Sequence, residues 1–449
     1  MLSKKSFIFS LLLIVSFFLG AQFLKQEIWP FGRGYDDTIK KIIKYGFDYK
    51  DIVTEETKIQ NLRKFYLDLE LNAKKSLRNI TASKENDVSL ADGLVMDKYL
   101  IEPQIFANGI AKITPGSGYL DFYDDKLFIL SSRGILGFSD YIGKEKIEFK
   151  KVENNLNLFL NEKQFLKGDE SESRFSFKDL TIANNLIFLS YTEEISNDCW
   201  NTGVLFSKID YKKINFIKLF SSTDCIKLNR KFNAHEAGGR IVAFDNDHIL
   251  LSIGTYGRKS GYLSQDISKV NGKIIKINIH DTTYEIISMG HRNPEGLYYD
   301  KKNNFLLETE HGPAGGDEIN IIEFNELEAK KKNYGWPLAS YGAHYGEETP
   351  ISKSHKVKSF IEPIKYFVPS IGISEIIKVG KKTYVAASMV NKSLWFFKLN
   401  SKKMLTELKR ISVKERIRDL KFKDKKLFLF LEDTASIGII PLSNQLFDD

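Results

Sequence analysis

The sequence predicts an all-β chain, a six-bladed β-propeller preceded by an N-terminal membrane anchor or signal and a short helical stalk. Three observations carry this. Six segments share one hairpin design, they recur at a mean interval of 60 residues, and the first two dozen residues have the pattern of an export signal.

The N-terminal element comes first. Lys4 and Lys5 precede the uncharged, Phe/Leu/Ile-rich run Ser6–Leu24, whose length is near the ~20 residues a spanning helix needs. A cleavage site after Ala21 would place Leu19 where a small residue is preferred, so residues 1–25 read as an uncleaved anchor before a removed signal peptide. The basic end stays in the cytoplasm, which places the remainder outside, in the periplasm or its equivalent; cleavage would instead release a secreted or periplasmic protein. Residues 26–89 form the membrane-proximal segment. Within it Asp36–Lys84 is charged and helix-friendly, with Ile59, Leu62, Phe65, Tyr66 and Leu69 at helical spacing.

From residue 90 to 449 the pattern is β. Each repeat is an apolar run, a polar turn of two to four residues and a second apolar run ending in small or polar residues. The six begin at Gly118, Lys178, Arg240, Gly296, Ile373 and Arg418. Their second runs begin at Leu127, Leu186, Ile249, Phe305, Thr383 and Leu427, at intervals of 59, 63, 56, 78 and 44 residues. Regular spacing of this kind suits four-stranded blades around a channel better than an open sandwich. The two cysteines, Cys199 and Cys225, flank strand-like runs around a turn at Tyr211–Lys213, and a hairpin in that register sets them face to face. A disulfide is expected in an oxidising compartment.

Composition narrows the function. Hydrophobic residues make up 42% and charged residues 28%, which suits a packed globular domain, and the net charge of +8 comes from scattered lysines. No dense basic block with interleaved aromatics occurs, so nucleic acid is not an expected partner.

A hairpin brings the residue before its first strand and the residue after its second to one end. The unusual residues gather there: Asn233–Arg240 and Thr255–Arg258 around the third hairpin, Gly290–Gly296 and Glu310–Glu318 around the fourth, and Arg416–Arg418 before the sixth. The expected mouth therefore holds Arg292, Arg416 and Arg418 as a cluster suited to a polycarboxylate. His235 is a candidate base, and the Gly312-Pro313 turn is suited to offering carbonyls to Ca²⁺.

GHRNPEG, TEHGPAGGDEIN and KNYGWP, in that order between Gly290 and Pro337, resemble the signature of the soluble glucose/sorbosone dehydrogenases that depend on pyrroloquinoline quinone (PQQ). With HEAGGRI and RIRD the resemblance spans roughly residues 90–440. It implies a six-bladed propeller, a sugar substrate, an external electron acceptor, and PQQ with Ca²⁺. By the same resemblance His235 takes the hydroxyl proton, and Arg292 lies over the quinone oxygens. Arg416 and Arg418 grip cofactor carboxylates, and the carbonyls of Gly312 and Pro313 bind the catalytic Ca²⁺. Asp317, Glu318 and the Tyr334 carbonyl correspond to a further Ca²⁺ site of some members. Four positions depart from the pattern. His235 stands five residues before Arg240 rather than four, with Glu236 at the four-residue position; Thr255 replaces an acid; Val390 replaces a lysine for which Lys392 is the stand-in; and Arg174 lies where a sugar-contacting glutamine is expected. The alternatives are a catalytically silent propeller that binds a saccharide or protein at the same mouth, and a Ca²⁺-dependent lactonase-like hydrolase with acid and amide ligands around the channel.

Overall fold

The computed structural model describes residues 49–103, 106, 116–171, 174–324, 332–343 and 352–442. The anchor or signal at residues 1–25 lies outside these, and no described helix is long and apolar enough to cross a membrane. The chain divides into two compact units, residues 1–65 and 66–449.

A helix runs Tyr49–Ser76 and ends earlier than the helix-friendly composition through Lys84 suggests. Asn79–Lys84 is instead a strand, paired antiparallel with Val95–Glu102 and with Lys146–Lys151. The stalk expected up to residue 89 therefore gives way to sheet ten residues sooner. The helical stripe also differs from expectation. Phe65 and Leu69 are exposed, whereas Glu70 and Lys74 are buried, and Lys74 pairs with Glu162 at 3.2 Å and bonds the Arg133 carbonyl.

All six expected hairpins form. They are Gly118–Tyr123 with Lys126–Ser131, Phe177–Ala183 with Leu186–Ser196, and Gly238–Ala243 with His248–Ile253. The others are Pro294–Asp300 with Phe305–Glu310, Ile373–Lys378 with Thr383–Ser388, and Ile417–Lys423 with Lys426–Leu431. Several turns use residues that tolerate positive φ: Asn184 and Asn185, at 51° and 61°, match the two-residue hairpin turn that keeps the strand twist. Further strands extend each hairpin outward. Hairpins two to five lie in four sheets of four or five strands, and the first and sixth share a ten-stranded sheet. In that sheet Val95–Glu102 pairs with the last strand, Ser436–Pro441, so the two ends of the β region are stitched together.

The first strand of each hairpin packs on the first strand of the next, and the sixth packs on the first, giving a propeller-like ring. Second strands sit one position out from that ring, covered on both faces. Leu127, Phe128, Ile129 and Leu130 are all fully buried, which is why they read as a continuous apolar run rather than an alternating one.

Acids on the first strands tie neighbours together. Asp121 accepts the Ile182 N–H, Asp179 accepts that of Ile241, and Asp419 accepts that of Leu120. At the centre is Arg240. Its Nη1 lies 2.9 Å from Asp179, 2.9 Å from Asp419 and 3.0 Å from Glu375, while Nε and Nη2 donate to the carbonyls of Glu295 and Arg418. One buried guanidinium thus joins hairpins two, three, four, five and six.

The disulfide forms, with Cα atoms 5.3 Å apart. The hairpin around it is less regular than expected. Val204 opposes Phe220, but a bulge follows, and Cys199 opposes Lys227, two residues beyond its sulfur partner.

Candidate functional site

The loop before the third hairpin is fixed by its own backbone. Asn233 accepts the His235 N–H on its side chain and starts a 3₁₀ turn over Ala234–Glu236. Residues after the second strand clamp this turn: Gly254 N–H donates to Ala237, Tyr256 N–H to Glu236, and Asn233 N–H to Tyr256. Gly254 is required here, because a Cβ would stand 2.1 Å from the Glu236 carbonyl oxygen. His235 is left exposed on this rigid turn, and its ring makes no protein hydrogen bond among the described residues. The protein crowded around it, with the cations Lys178, Arg174 and Arg418, holds its pKa well below the usual histidine range.

Arg292 is buried, with its guanidinium over the Trp336 ring at 5.4 Å. Nη2 reaches Glu236 at 2.8 Å, and Nη1 donates to the carbonyls of His311 and Gly312 at 3.0 and 2.8 Å. Thr255 hydrogen-bonds the Arg292 carbonyl through both its N–H and its hydroxyl. The Gly312 turn is pinned by Asp317, whose oxygens accept the N–H groups of Gly312, Ile371, Gly372 and Ile373. Asp317 is thereby built into the loop. The Pro313 carbonyl accepts from Ser370 at 3.4 Å.

The late arginines converge on one acid. Glu432 accepts from Arg416 Nε at 2.9 Å and from Arg418 Nη2 at 2.9 Å, and Arg418 Nη1 also reaches Glu295 at 3.1 Å. Asp433 accepts the Arg416 N–H and pairs with Lys392 at 2.8 Å. Asn293 links this set to the base, donating to the His235 carbonyl and to Glu295. His235, Arg292, Gly312, Arg416, Arg418 and Lys392 therefore belong to one polar network, connected through Glu236, Asn293, Glu295, Glu432 and Asp433. Sequence reading missed the acids as partners. The Glu432-Asp433 pair stood in view, directly after the sixth hairpin, at the end where mouth residues are expected.

Glu318 and Tyr334 sit beside that network, joined to it through Glu310, which accepts the Arg292 N–H, and through His291. Glu308, Glu310 and Glu318 are buried on one face of the fourth sheet, where Glu310 opposes Glu318 and bonds His291 at 2.9 Å. Burial pushes the Glu318 carboxyl up to about 7 against the pull of His355 at 3.4 Å. Tyr334 stacks on His291 at 4.8 Å, and its hydroxyl donates to the Ile321 carbonyl. At the centre of the ring the acids Asp179, Glu375 and Asp419 surround Arg240, where a lactonase-like site would place its metal.

The glucose/sorbosone dehydrogenase family model matches residues 177–440. The chain belongs to this family. It is 27% identical over 283 residues to the aldose sugar dehydrogenase YliI of Escherichia coli, covering 57% of this chain and 72% of that one. It is 26% identical over 226 residues to quinoprotein glucose dehydrogenase B of Acinetobacter calcoaceticus, covering 37% and 46%. Across the curated relatives it matches, the aligned part spans from about half to about seven-tenths of their length. The PQQ-bound aldose sugar dehydrogenase of Streptomyces coelicolor shares the fold, with a TM-score of 0.51 at 17% identity over 73% of this chain and 99% of that one.

The donor set at the mouth fits the chemistry of the group that family membership implies. A carboxylate, that of Glu432, already lies in the fork of Arg416 and Arg418 as a ligand carboxylate would. The Gly312 carbonyl faces the same mouth and accepts from Arg292 in this structure.

Proposed function

We propose that this protein is a dehydrogenase of aldose sugars or similar alcohols, using PQQ and Ca²⁺ at the mouth of a six-bladed propeller held outside the cytoplasm by its N-terminal segment. Family membership supports the reaction class, and the six mutually packed hairpins support the blade count. The carrying observation is His235, an imidazole on a rigid turn, open to the mouth and flanked by cations.

Arg416, Arg418 and Lys392 would hold the cofactor's carboxylates, and the carbonyls of Gly312 and Pro313 would hold the metal. When bound, the quinone supplies a two-electron acceptor and the cation a Lewis acid. The protein's own contribution is to place the sugar hydroxyl beside His235, whose ring accepts the proton. Arg292, fixed by Glu236 and by two carbonyls, presents positive charge where an oxyanion develops. An external acceptor then takes the electrons. Glu318 and the Tyr334 carbonyl are the candidates for a second Ca²⁺.

The test is sugar-dependent reduction of an electron-accepting dye by the full chain supplied with PQQ and Ca²⁺. Turnover on at least one aldose, abolished in His235→Ala, supports the reading. A second reading rests on one observation: among the described residues no acid hydrogen-bonds the His235 ring, and Thr255 at the strand end bonds the Arg292 carbonyl. Tight binding of quinone with no oxidation of any sugar would favour a catalytically silent propeller, the reading in which the mouth binds a saccharide or protein.

A further inference from the structure

Every cation expected to grip an anionic cofactor already holds an internal acid. Arg292 pairs with Glu236, Lys392 with Asp433, and Arg416 and Arg418 share Glu432 while Arg418 also reaches Glu295. The four cations are matched by four carboxylates, so the mouth carries no net positive charge from this set. Glu432 differs from the other acids in its placement. It spans both arginines, and the hydroxyl of Ser117 also donates to its Oε1. Burial works against its ionisation, but the guanidiniums of Arg418 and Arg416 and the Ser117 hydroxyl outweigh this and hold its carboxyl far below the usual range.

We propose that Glu432 is an internal carboxylate ligand of the Arg416–Arg418 fork, which an incoming cofactor carboxylate must displace, and that it sets the affinity of the mouth for anions. The inference rests on the proposed cofactor entering at this mouth. An arginine fork offers a fixed set of coplanar donors, and two carboxylates compete for the same N–H groups. Displaced Glu432 must then remain close to the newcomer in a desolvated setting, where like charges repel strongly. Binding is therefore an exchange of one carboxylate for another rather than the filling of an open cationic site.

The experiment measures binding of PQQ to the full chain by equilibrium dialysis, read by the quinone's own absorbance, with Ca²⁺ present and no sugar. Glu432→Gln keeps the side chain's shape and removes its charge, and is expected to bind about 10- to 100-fold more tightly, the range for freeing a charge-assisted hydrogen bond. Ser117→Ala, which loosens the Glu432 lock without touching either arginine, is expected to give a smaller gain in the same direction. Adding Arg416→Ala to Glu432→Gln should erase the gain, because the freed donors are then missing. Unchanged affinity in both Glu432→Gln and Ser117→Ala, or no measurable binding by any of the variants, overturns the inference. The readout separates it from the dehydrogenase reading: tighter binding with no sugar oxidation removes that reading and leaves this one. Sugar oxidation with unchanged binding does the reverse.

Discussion

Arg240 is the residue whose removal should cost the fold most. In Arg240→Met the chain volume is roughly kept, but Asp179, Asp419 and Glu375 lose the cation that lies 2.9–3.0 Å from each of them. Breaking a buried ion pair from one side costs about 3–5 kcal/mol. Two hydrogen bonds from the guanidinium to the carbonyls of Glu295 and Arg418 are also lost, each worth about 1.5–3 kcal/mol when the donor is charged. These terms are not additive, and about 6 kcal/mol is a fair total against the roughly 5–15 kcal/mol that stabilises a typical domain. The assay is urea unfolding of wild type and Arg240→Met at pH 8 and pH 5. The sign of the pH effect follows from the acids. Burial already pushes Glu375 up to about 8 with Arg240 in place, and removing Arg240, which holds it down, raises its folded-state value further above the unfolded one. The stability of the variant is therefore highest below the unfolded carboxylate range and falls as pH rises, so its deficit should be smaller at pH 5 than at pH 8. A variant within about 1 kcal/mol of wild type at both pH values would refute the view that Arg240 ties the ring together.

Three further outcomes are expected. Replacing Cys199 and Cys225 by Ser opens a loop with a separation of 26 residues and should lower unfolding stability by about 3.5 kcal/mol on the chain-entropy account; a loss below about 0.5 kcal/mol would count against that account. Lys273 is buried with its ammonium on the carbonyls of Leu263, Ser264 and Asn271, and burial pushes its pKa down from 10.5 to about 8. Between those values the unfolded chain holds the proton that the folded chain has lost, so wild-type stability should rise with pH across that window by up to about 3 kcal/mol relative to Lys273→Met, and parallel pH profiles would exclude it. His235→Ala should lower sugar turnover by roughly 10²–10⁴-fold, whereas Glu236→Gln, whose carboxylate is committed to Arg292, should lower it by less than about 10-fold; the reverse order would move the base to Glu236.

Much of the architecture was legible because it depends on local pattern. Apolar runs broken by Asn/Asp-rich turns mark hairpins, since turn chemistry and strand burial act over a few residues. The second strands accordingly begin within one residue of the expected positions, from Lys126 to Lys426. The grouping of His235, Arg292, Gly312, Arg416 and Arg418 at one end follows from the same rule. The disulfide was legible too, although the bulge after Val204 shows that the uniform register behind it was too simple.

The remainder needed the third dimension. Asn79–Lys84 looks helical by composition, yet it is a strand, because the outer edge of Lys146–Lys151 supplies backbone partners that local propensity cannot weigh. Arg240 reads as an ordinary strand-end arginine until ring closure brings Asp179, Glu375 and Asp419 to it from positions up to 179 residues away. The charge state of the mouth is hidden in the same way. The chain announces Arg292, Arg416, Arg418 and Lys392 as a cationic cradle, but only packing sets Glu236, Glu432 and Asp433 against them. Sequence alone thus determined which elements form and which residues reach the mouth, because these follow from short-range periodicity and turn chemistry. Tertiary structure decided which charges remain available there, because pairing between buried ions depends on distances of about 3 Å between residues far apart in the chain.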